Sequence, residues 1–175
     1  MAIERSNRRL AAARITATAR QLLEASTLCA IATVTRSGRA HVNTAYFAWS
    51  RAFEIVWLSE PGATHSRNLR ANPSTAIAVY DSGQTWGKPD RGIQLFGTAR
   101  EVAGEDAEQA EALYTRRFPA YAKTDLGAYR FYRFTPRRLK LFDEPPLGTA
   151  TFVTARVGPD GRLAWERTER YRASR

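Results

Sequence analysis

The stretch Ile55-Val-Trp-Leu-Ser-Glu-Pro-Gly-Ala-Thr-His-Ser-Arg-Asn-Leu-Arg-Ala-Asn-Pro73 decides the fold. Its first part belongs to a strand-like run over residues 53–59, which is followed by a turn at Pro61-Gly62. A short helix is predicted from about Thr64 to the stop at Asn72-Pro73, because the residue before a proline disfavours the helical conformation. Free amides at a helix N-terminus, with hydroxyls, a histidine and arginines around them, form a site for phosphate. The stretch therefore predicts a phosphate-binding site.

The composition predicts a single globular domain over residues 1–175. Hydrophobic residues make up 43% of the chain and charged residues 25%. No apolar run approaches the ~20 residues of a membrane-spanning helix, and the Arg-rich N-terminus lacks an apolar signal-type stretch. We therefore expect a cytoplasmic protein without a membrane partner. Cys29 is the only cysteine, so no intrachain disulfide forms, and its apolar surroundings predict a buried thiol.

The net charge of +10 raises nucleic acid as a partner. Only three of the 27 basic residues are lysines, and the chain is rich in alanine, as expected of GC-biased coding. The arginines are scattered, and the chain contains neither zinc-ligand spacing nor an RNA-binding aromatic motif. The sequence therefore argues against nucleic-acid binding.

The remaining periodicities predict a mainly β fold with helices. A helix is predicted over residues 8–25 and another from Gly104, with acidic residues in its first turn and Arg116-Arg117 in its last. Short apolar or alternating runs predict six antiparallel strands and a C-terminal β-hairpin at about 150–170. Such a set favours a small β-barrel. The six predicted strands cover 27–35, 40–49, 53–59, 74–80, 92–102 and 129–143.

This order of elements resembles the pyridoxamine 5′-phosphate oxidase-like family of flavin-binding split barrels. The order runs from helix to hairpin, third strand and short helix before Asn-Pro, then to a strand ending near Gly97-Thr-Ala. The resemblance covers about residues 20–142, within a predicted barrel core at about 20–143, and is sharpest from Asn43 to Pro73. It implies a six-stranded antiparallel split β-barrel, FMN as cofactor, a small-molecule substrate and a homodimer with the cofactor at the subunit interface.

The resemblance also implies the cofactor-binding residues. The second strand would line the flavin, the hydroxyl after the third strand would lie near the phosphate, and the short helix would supply a basic residue. Thr64 and His65 occupy the positions of the family's usual Arg-Lys pair, so Arg67 would supply the charge. The predicted cofactor-binding residues are Asn43, Thr44, Ala45, Tyr46, Leu58, Ser59, Thr64, His65, Ser66, Arg67, Trp86 and Gln94.

The chemistry of a flavin phosphate fits the start of the short helix. Thr64 is predicted as the N-cap, which would leave the amides of His65, Ser66 and Arg67 pointing outward. Hydroxyls and the Arg67 guanidinium would add charge-assisted donors. His65 is interpreted as a phosphate donor, with an ordinary surface residue as the alternative, and His41 is expected to be a half-exposed strand residue. An ordinary capped surface helix is the alternative for the whole cluster.

Three functions remain open. The first is an FMN-dependent oxidoreductase that acts on a small organic substrate by hydride transfer, and the second is a deazaflavin-dependent reductase of the same fold. The third is a non-catalytic flavin or haem binding protein or sensor, since the sequence shows no Ser-His-Asp arrangement, carboxylate pair or metal cluster. Arg162-Leu-Ala-Trp165 does not match the Arg-Leu-His motif that the oxidases use for pyridoxal phosphate, so vitamin B6 oxidation itself is not expected.

Overall fold

The computed structural model describes residues 2–123 and 127–172. Within them the chain forms ten strands, four α-helices and one 3-10 helix. The strands are β1 (Ala2–Ser6), β2 (Leu28–Val34), β3 (Ala40–Tyr46), β4 (Ala48–Trp49), β5 (Ile55–Ser59), β6 (Ser74–Tyr80), β7 (Arg91–Glu101), β8 (Arg130–Asp143), β9 (Thr151–Val157) and β10 (Leu163–Arg172). The helices are α1 (Ala12–Glu24), α2 (Thr64–Ala71), α3 (Glu105–Arg117) and α4 (Glu144–Leu147), with the 3-10 helix at Pro119–Lys123.

The chain divides into two compact units, and β6, β7 and β8 contribute residues to both. The first unit contains the described parts of Met1–Ser26, Ala78–Leu95 and Arg137–Arg175. The second contains Thr27–Ile77 and the described parts of Phe96–Pro136. The single domain predicted over residues 1–175 stays a prediction.

The first unit is built on the antiparallel neighbours β1, β10, β9 and β8. Ser6 pairs with Thr168, and Leu139 pairs with Ala155. The apolar stripe of α1 is buried in this unit, and α1 contacts β10. Burial of that stripe stabilises a helix that has no capping side chain. The buried residues of the stripe are Ile15, Ala19, Leu22 and Leu23.

The second unit contains the β2–β3 hairpin and strand β5, which pairs with β4 and with the first half of β8. Strand β5 is almost wholly buried, as a run of consecutive apolar residues predicts. Gly97 lies where a close approach requires glycine, since a Cβ atom there would meet the carbonyl oxygen of Thr135 at 2.1 Å. The fully buried large side chains of this unit include Trp57, Tyr132, Phe47, Phe53 and Phe134.

The mainly antiparallel β fold is confirmed. The six predicted strands correspond to β2, β3, β5, β6, β7 and β8, and the predicted C-terminal hairpin is β9–β10. The run predicted over 40–49 is divided into β3 and β4 at Phe47, whose side chain is completely buried. Strand β1 and helix α4 were not predicted. None of the described helices has the length and apolar character that a membrane crossing requires.

Candidate functional site

The N-cap of helix α2 lies one residue earlier than predicted. Thr64 is its first helical residue, and the N-cap is Ala63, which has extended backbone angles and no side-chain cap. The prediction of Thr64 as N-cap is therefore wrong by one position. The Arg67 amide donates to the Ala63 carbonyl at 3.0 Å, so it does not point outward. Helix geometry instead leaves the amides of Thr64, His65 and Ser66 without an intrahelical partner.

Two guanidinium groups lie at the N-terminal end of α2. Arg67 folds back along its helix and donates to the Gly62 carbonyl and, at 3.2 Å, to the Thr64 hydroxyl. Arg70 donates to the Pro61 carbonyl at 2.9 Å. The first turn of α2 contains no acidic residue, and among the described residues only Glu101 forms an ion pair with either guanidinium, at 3.8 Å from Arg70. The two guanidinium groups and the N-terminal end of the helix dipole all carry positive charge. Together they make this end of α2 attractive to an anion.

The hydroxyls that were predicted to meet phosphate have different surroundings. The Ser59 hydroxyl is bonded to His65 Nε2 at 2.7 Å, and both side chains are buried. The fully buried Ser66 hydroxyl donates to the Glu60 carbonyl at 2.8 Å. The Thr64 hydroxyl accepts from Arg67, which leaves its own proton available to an anion. Of the three hydroxyls, Thr64 therefore has the surroundings that suit a phosphate ligand best.

His65 lies between two other rings. Its imidazole stacks on that of His41, with 6.5 Å between centroids and 23° between planes, and meets the Tyr132 ring edge-on at 6.5 Å. Burial, and secondarily the nearby His41, lower the pKa of His65 below 6.5. Burial raises the pKa of Tyr132, whose hydroxyl donates to Glu101 at 3.2 Å. Both His65 and Tyr132 are therefore neutral at pH 7.

Strand β3 presents two different faces. Its half-buried side chains are His41, Asn43 and Ala45, and they alternate with the exposed Thr44 and Tyr46. Two enclosed atoms on the half-buried face, His41 Nδ1 and Asn43 Oδ1, have no hydrogen-bond partner among the described residues. Unpartnered buried polar atoms call for an explanation, and a ligand with its own donors and acceptors supplies one. A flavin ring carries both an N–H donor and carbonyl acceptors, so this face fits it.

The other face of the β2–β3 hairpin is apolar and exposed. Val42 is 62% exposed, Tyr46 is 58% exposed and Leu28 is 46% exposed. Leu28 lies directly opposite Tyr46 in the strand register, and Ala32 lies opposite Val42, so these side chains share one surface. A contiguous exposed apolar surface is typical of an interaction site.

The remaining predicted residues have separate positions. Leu58 is half-buried beside Ser59 at the end of β5. Trp86, which lies in the loop after β6, and Gln94, on β7, are both exposed and belong to the first unit. The ten other predicted residues belong to the second unit, so a site shared with Trp86 and Gln94 stays a prediction.

Two side chains near this site were missed by the sequence prediction. Arg130 lies directly opposite Ser59 in the pairing of β5 with β8, and Tyr132 lies opposite Trp57. The alternation over 129–143 predicted strand β8 but not that it pairs with β5, because the two strands are far apart in sequence. His41 was expected to be a half-exposed strand residue, and the structure places it against His65. The described residues contain no group of three His, Cys, Asp or Glu side chains that could hold a metal ion.

Solved structures with the same fold have several described roles. The haem-binding protein of Mycobacterium smegmatis has a TM-score of 0.64 and 19% identity, and covers 91% of this chain, which spans 59% of that protein. The haem storage protein of Vibrio cholerae has a TM-score of 0.59 and 22% identity, covering 67% of this chain and 87% of its own. An FAD-binding protein of Mesorhizobium loti has a TM-score of 0.60 and 19% identity, covering 82% of this chain and 99% of its own. At these identities the likeness shows the fold alone.

The family is shown by sequence. No curated protein matches the chain. The family model described as pyridoxamine 5′-phosphate oxidase matches residues 15–143, which is well over half of the chain and includes β2 to β8 with α2 between them. The chain therefore belongs to the pyridoxamine 5′-phosphate oxidase-like split-barrel family.

Proposed function

We propose that this protein binds FMN, with the flavin phosphate at the N-terminal end of α2. The observation that carries the proposal is the positive end of α2, where the Arg67 guanidinium lies over the first turn and forms no ion pair with any described residue. A phosphate dianion there accepts charge-assisted hydrogen bonds and interacts favourably with the helix dipole. Membership of the family, and the fold neighbour described as FAD-binding, support a flavin as the ligand.

Each part of the second unit has a role in this proposal. The amides of the first turn of α2, the Thr64 hydroxyl and Arg67 hold the phosphate. The Ser59–His65 hydrogen bond connects the end of β5 to the first turn of α2, so it positions that turn without itself meeting the phosphate. The orphaned atoms of His41 and Asn43 bind the polar edge of the ring.

The active form in this proposal is a homodimer. The exposed apolar side chains of Leu28, Val42 and Tyr46 form the surface that a second copy covers. These side chains point from the face of the hairpin opposite to His41 and Asn43, so they do not meet the ring that those two residues hold in the same copy. In the proposed dimer the exposed Thr44 and Tyr46 would instead meet the ring bound by the second copy.

The proposed activity is that of an oxidoreductase acting on a small organic substrate. The bound flavin supplies hydride transfer, while the protein orients the ring and shapes access to it. The described part of the site offers no carboxylate pair, and His65 is a neutral imidazole whose Nε2 is already bonded to the Ser59 hydroxyl. The protein's proposed contribution is therefore to bind and orient the flavin and to shape access to it.

The first experiment is an absorbance spectrum of the purified protein, followed by mass analysis of whatever denaturation releases. The proposal predicts a flavin spectrum and released FMN, or uptake of added FMN by the apoprotein. A competition titration with a deazaflavin distinguishes the two cofactors. If the deazaflavin binds more tightly than FMN, the cofactor is the deazaflavin. Absence of binding to either cofactor at high micromolar concentration would overturn the proposal.

A non-catalytic flavin or haem carrier is the second candidate. Two fold neighbours described as haem-binding and haem storage proteins support it, together with the enclosed, unpartnered Nδ1 of His41. The neighbouring His65 is less suited to an iron ligand, because its Nε2 already bonds Ser59. Haem binding would produce a Soret band on titration with haemin, and turnover of an acceptor with NAD(P)H would contradict the carrier function.

A further inference from the structure

The first unit contains a cavity, lined by guanidinium and hydroxyl groups, that the proposed flavin site does not use. Its volume is about 120 Å³, many times the ~10–15 Å³ that one water molecule requires. It lies where the end of β10, the start of β9 and the segment after β1 come together. The six residues that line it are Ser6, Arg8, Gly148, Thr151, Thr168 and Arg170.

The charge of the cavity is positive and unbalanced. Arg170 makes no side-chain hydrogen bond and no ion pair with any described residue, and Arg8 forms no ion pair with them. The nearest carboxylate by strand register is that of Glu4, opposite Arg170, and it pairs instead with Arg172 at 2.9 Å. Two exposed guanidinium groups at the rim therefore have free donors, and no lining residue is acidic.

One of these arginines is held in place by the protein. Arg8 Nη1 donates to the Leu147 carbonyl at 2.7 Å, and the Arg8 carbonyl accepts from the Thr168 hydroxyl at 2.7 Å. A guanidinium has five N–H donors, so this bond leaves most of them for a ligand. Arg8 is therefore a preorganised donor, and such donors lose less conformational entropy on binding.

Hydroxyl groups form the floor of the cavity. Thr151 and Thr168 are 6% and 1% exposed. The Thr168 hydroxyl is committed, since it donates to Arg8 and accepts from Trp165 at 3.0 Å. The Ser6 hydroxyl accepts from the Arg8 amide at 3.3 Å and keeps its proton, and Thr151 can turn its proton from the Thr149 carbonyl toward a ligand.

Gly148 completes the wall with a backbone that few other residues tolerate. Its φ is +104°, and a Cβ atom there would lie 3.3 Å from Arg8 Nη1 and 3.5 Å from the Thr151 hydroxyl. The space in front of these two donors therefore depends on the missing side chain. The cavity thus combines two guanidiniums and two available hydroxyls around a space kept open by a glycine.

From this arrangement we propose that the cavity binds a phosphate group, either as free phosphate or as the end of a phosphomonoester. Guanidinium forks match the oxygens of phosphate, and hydroxyl donors match its remaining lone pairs. The site lies within the first unit, apart in sequence from α2, so it is a second anion site and not the place of the flavin phosphate.

The test is calorimetric titration of the full chain with inorganic phosphate, in an Arg67→Gln background that removes the charge proposed for the flavin site. We expect one phosphate per chain, at least about tenfold weaker binding in Arg170→Gln, and a smaller loss in Ser6→Ala. Arg162→Gln is the matched control, because Arg162 is an exposed arginine near the opposite end of β10. Thermal unfolding of each variant checks that it folds.

A parallel titration with glycerol 3-phosphate separates the two sources of the phosphate group. If both ligands bind, the phosphate group occupies the cavity while the glycerol part of the ester stays in solvent. If only inorganic phosphate binds, the cavity holds the free ion. Either result supports the site, provided that Arg170→Gln weakens the binding. Absence of saturable binding, or equal affinities in Arg170→Gln and Arg162→Gln, would overturn the proposal.

Discussion

The Ser59 hydroxyl and the His65 imidazole are bonded to each other at 2.7 Å, and both side chains are more than nine-tenths buried. This bond joins the last residue of β5 to the first turn of α2 across the Pro61-Gly62 turn. His65, where the family usually has a cation, is therefore an internal neutral residue. The positive charge of the proposed phosphate site comes from Arg67 and from the helix itself.

Replacing Ser59 by alanine is expected to destabilise the fold. Ser59→Ala leaves His65 Nε2 buried without its partner, which costs about 1–3 kcal/mol of unfolding free energy. Urea unfolding followed by circular dichroism measures the change. Ser37→Ala is the control, because the Ser37 hydroxyl is exposed in a turn and water replaces its bond to Thr35. Equal losses in the two variants would contradict a structural role for the Ser59–His65 bond.

The burial of His65 predicts a dependence of stability on pH. Its pKa in the folded protein is lowered below 6.5, so the unfolded chain takes up the proton first as the pH falls. The contribution of His65 is thus fully present above about pH 6.5 and is lost progressively below it. Unfolding midpoints measured between pH 8 and pH 5 should fall in the wild type. In His65→Gln this part of the slope should disappear, and an unchanged slope would assign it to other groups.

The close approach at Gly97 predicts a strong effect of one added methyl group. A Cβ atom at Gly97 would lie 2.1 Å from the Thr135 carbonyl oxygen and 2.9 Å from Pro136 Cα, both backbone atoms. Gly97→Ala is expected to cost about 3 kcal/mol or more, since β7 or β8 must shift. Gly62→Ala is the matched control, because its Cβ would meet nothing within 4 Å. A small loss at Gly97 would show that the strands lie further apart.

Elements with local signals could be predicted from the sequence. Helix α2 and strand β6 were predicted almost to the residue, because Asn72-Pro73 separates them. Strand β1 has only one large apolar residue, Ile3, and exists through its pairing with β10 at the far end of the chain. Helix α4 was missed because Pro145-Pro146 indicated a break, although proline is compatible with the first positions of a helix.

The candidate site was predicted less completely, because its contacts depend on tertiary structure. The sequence indicated Ser59, His65 and Arg67 as a group, but not that the first two bond each other. The contact of His41 with His65 depends on how the β2–β3 hairpin packs near α2, which no local pattern encodes. The cavity at Arg8 and Arg170 joins residues 162 positions apart and left no signal in the sequence.

The homodimer proposal predicts the effect of a charge on the exposed apolar surface. Val42→Glu should leave the fold of each chain intact, because Val42 is 62% exposed. The variant should be a monomer, since the dimer interface would bury an unpaired carboxylate at high cost. Light scattering measures the mass. FMN binding should weaken with it. Ile3→Glu is the control, being 56% exposed on β1. A dimeric mass for Val42→Glu would place the interface elsewhere.

The central claim is that Arg67 and the N-terminal end of α2 hold the flavin phosphate, and a fluorescence titration of the apoprotein with FMN and with riboflavin tests it most directly. The wild type should bind FMN more tightly than riboflavin, which lacks the phosphate. Arg67→Gln should weaken FMN binding about 10- to 100-fold and leave riboflavin binding unchanged, whereas Arg51→Gln, at an exposed arginine in the turn before β5, should behave as wild type. Equal affinity of the wild type for FMN and riboflavin, or an unaltered affinity for FMN in Arg67→Gln, would contradict the claim.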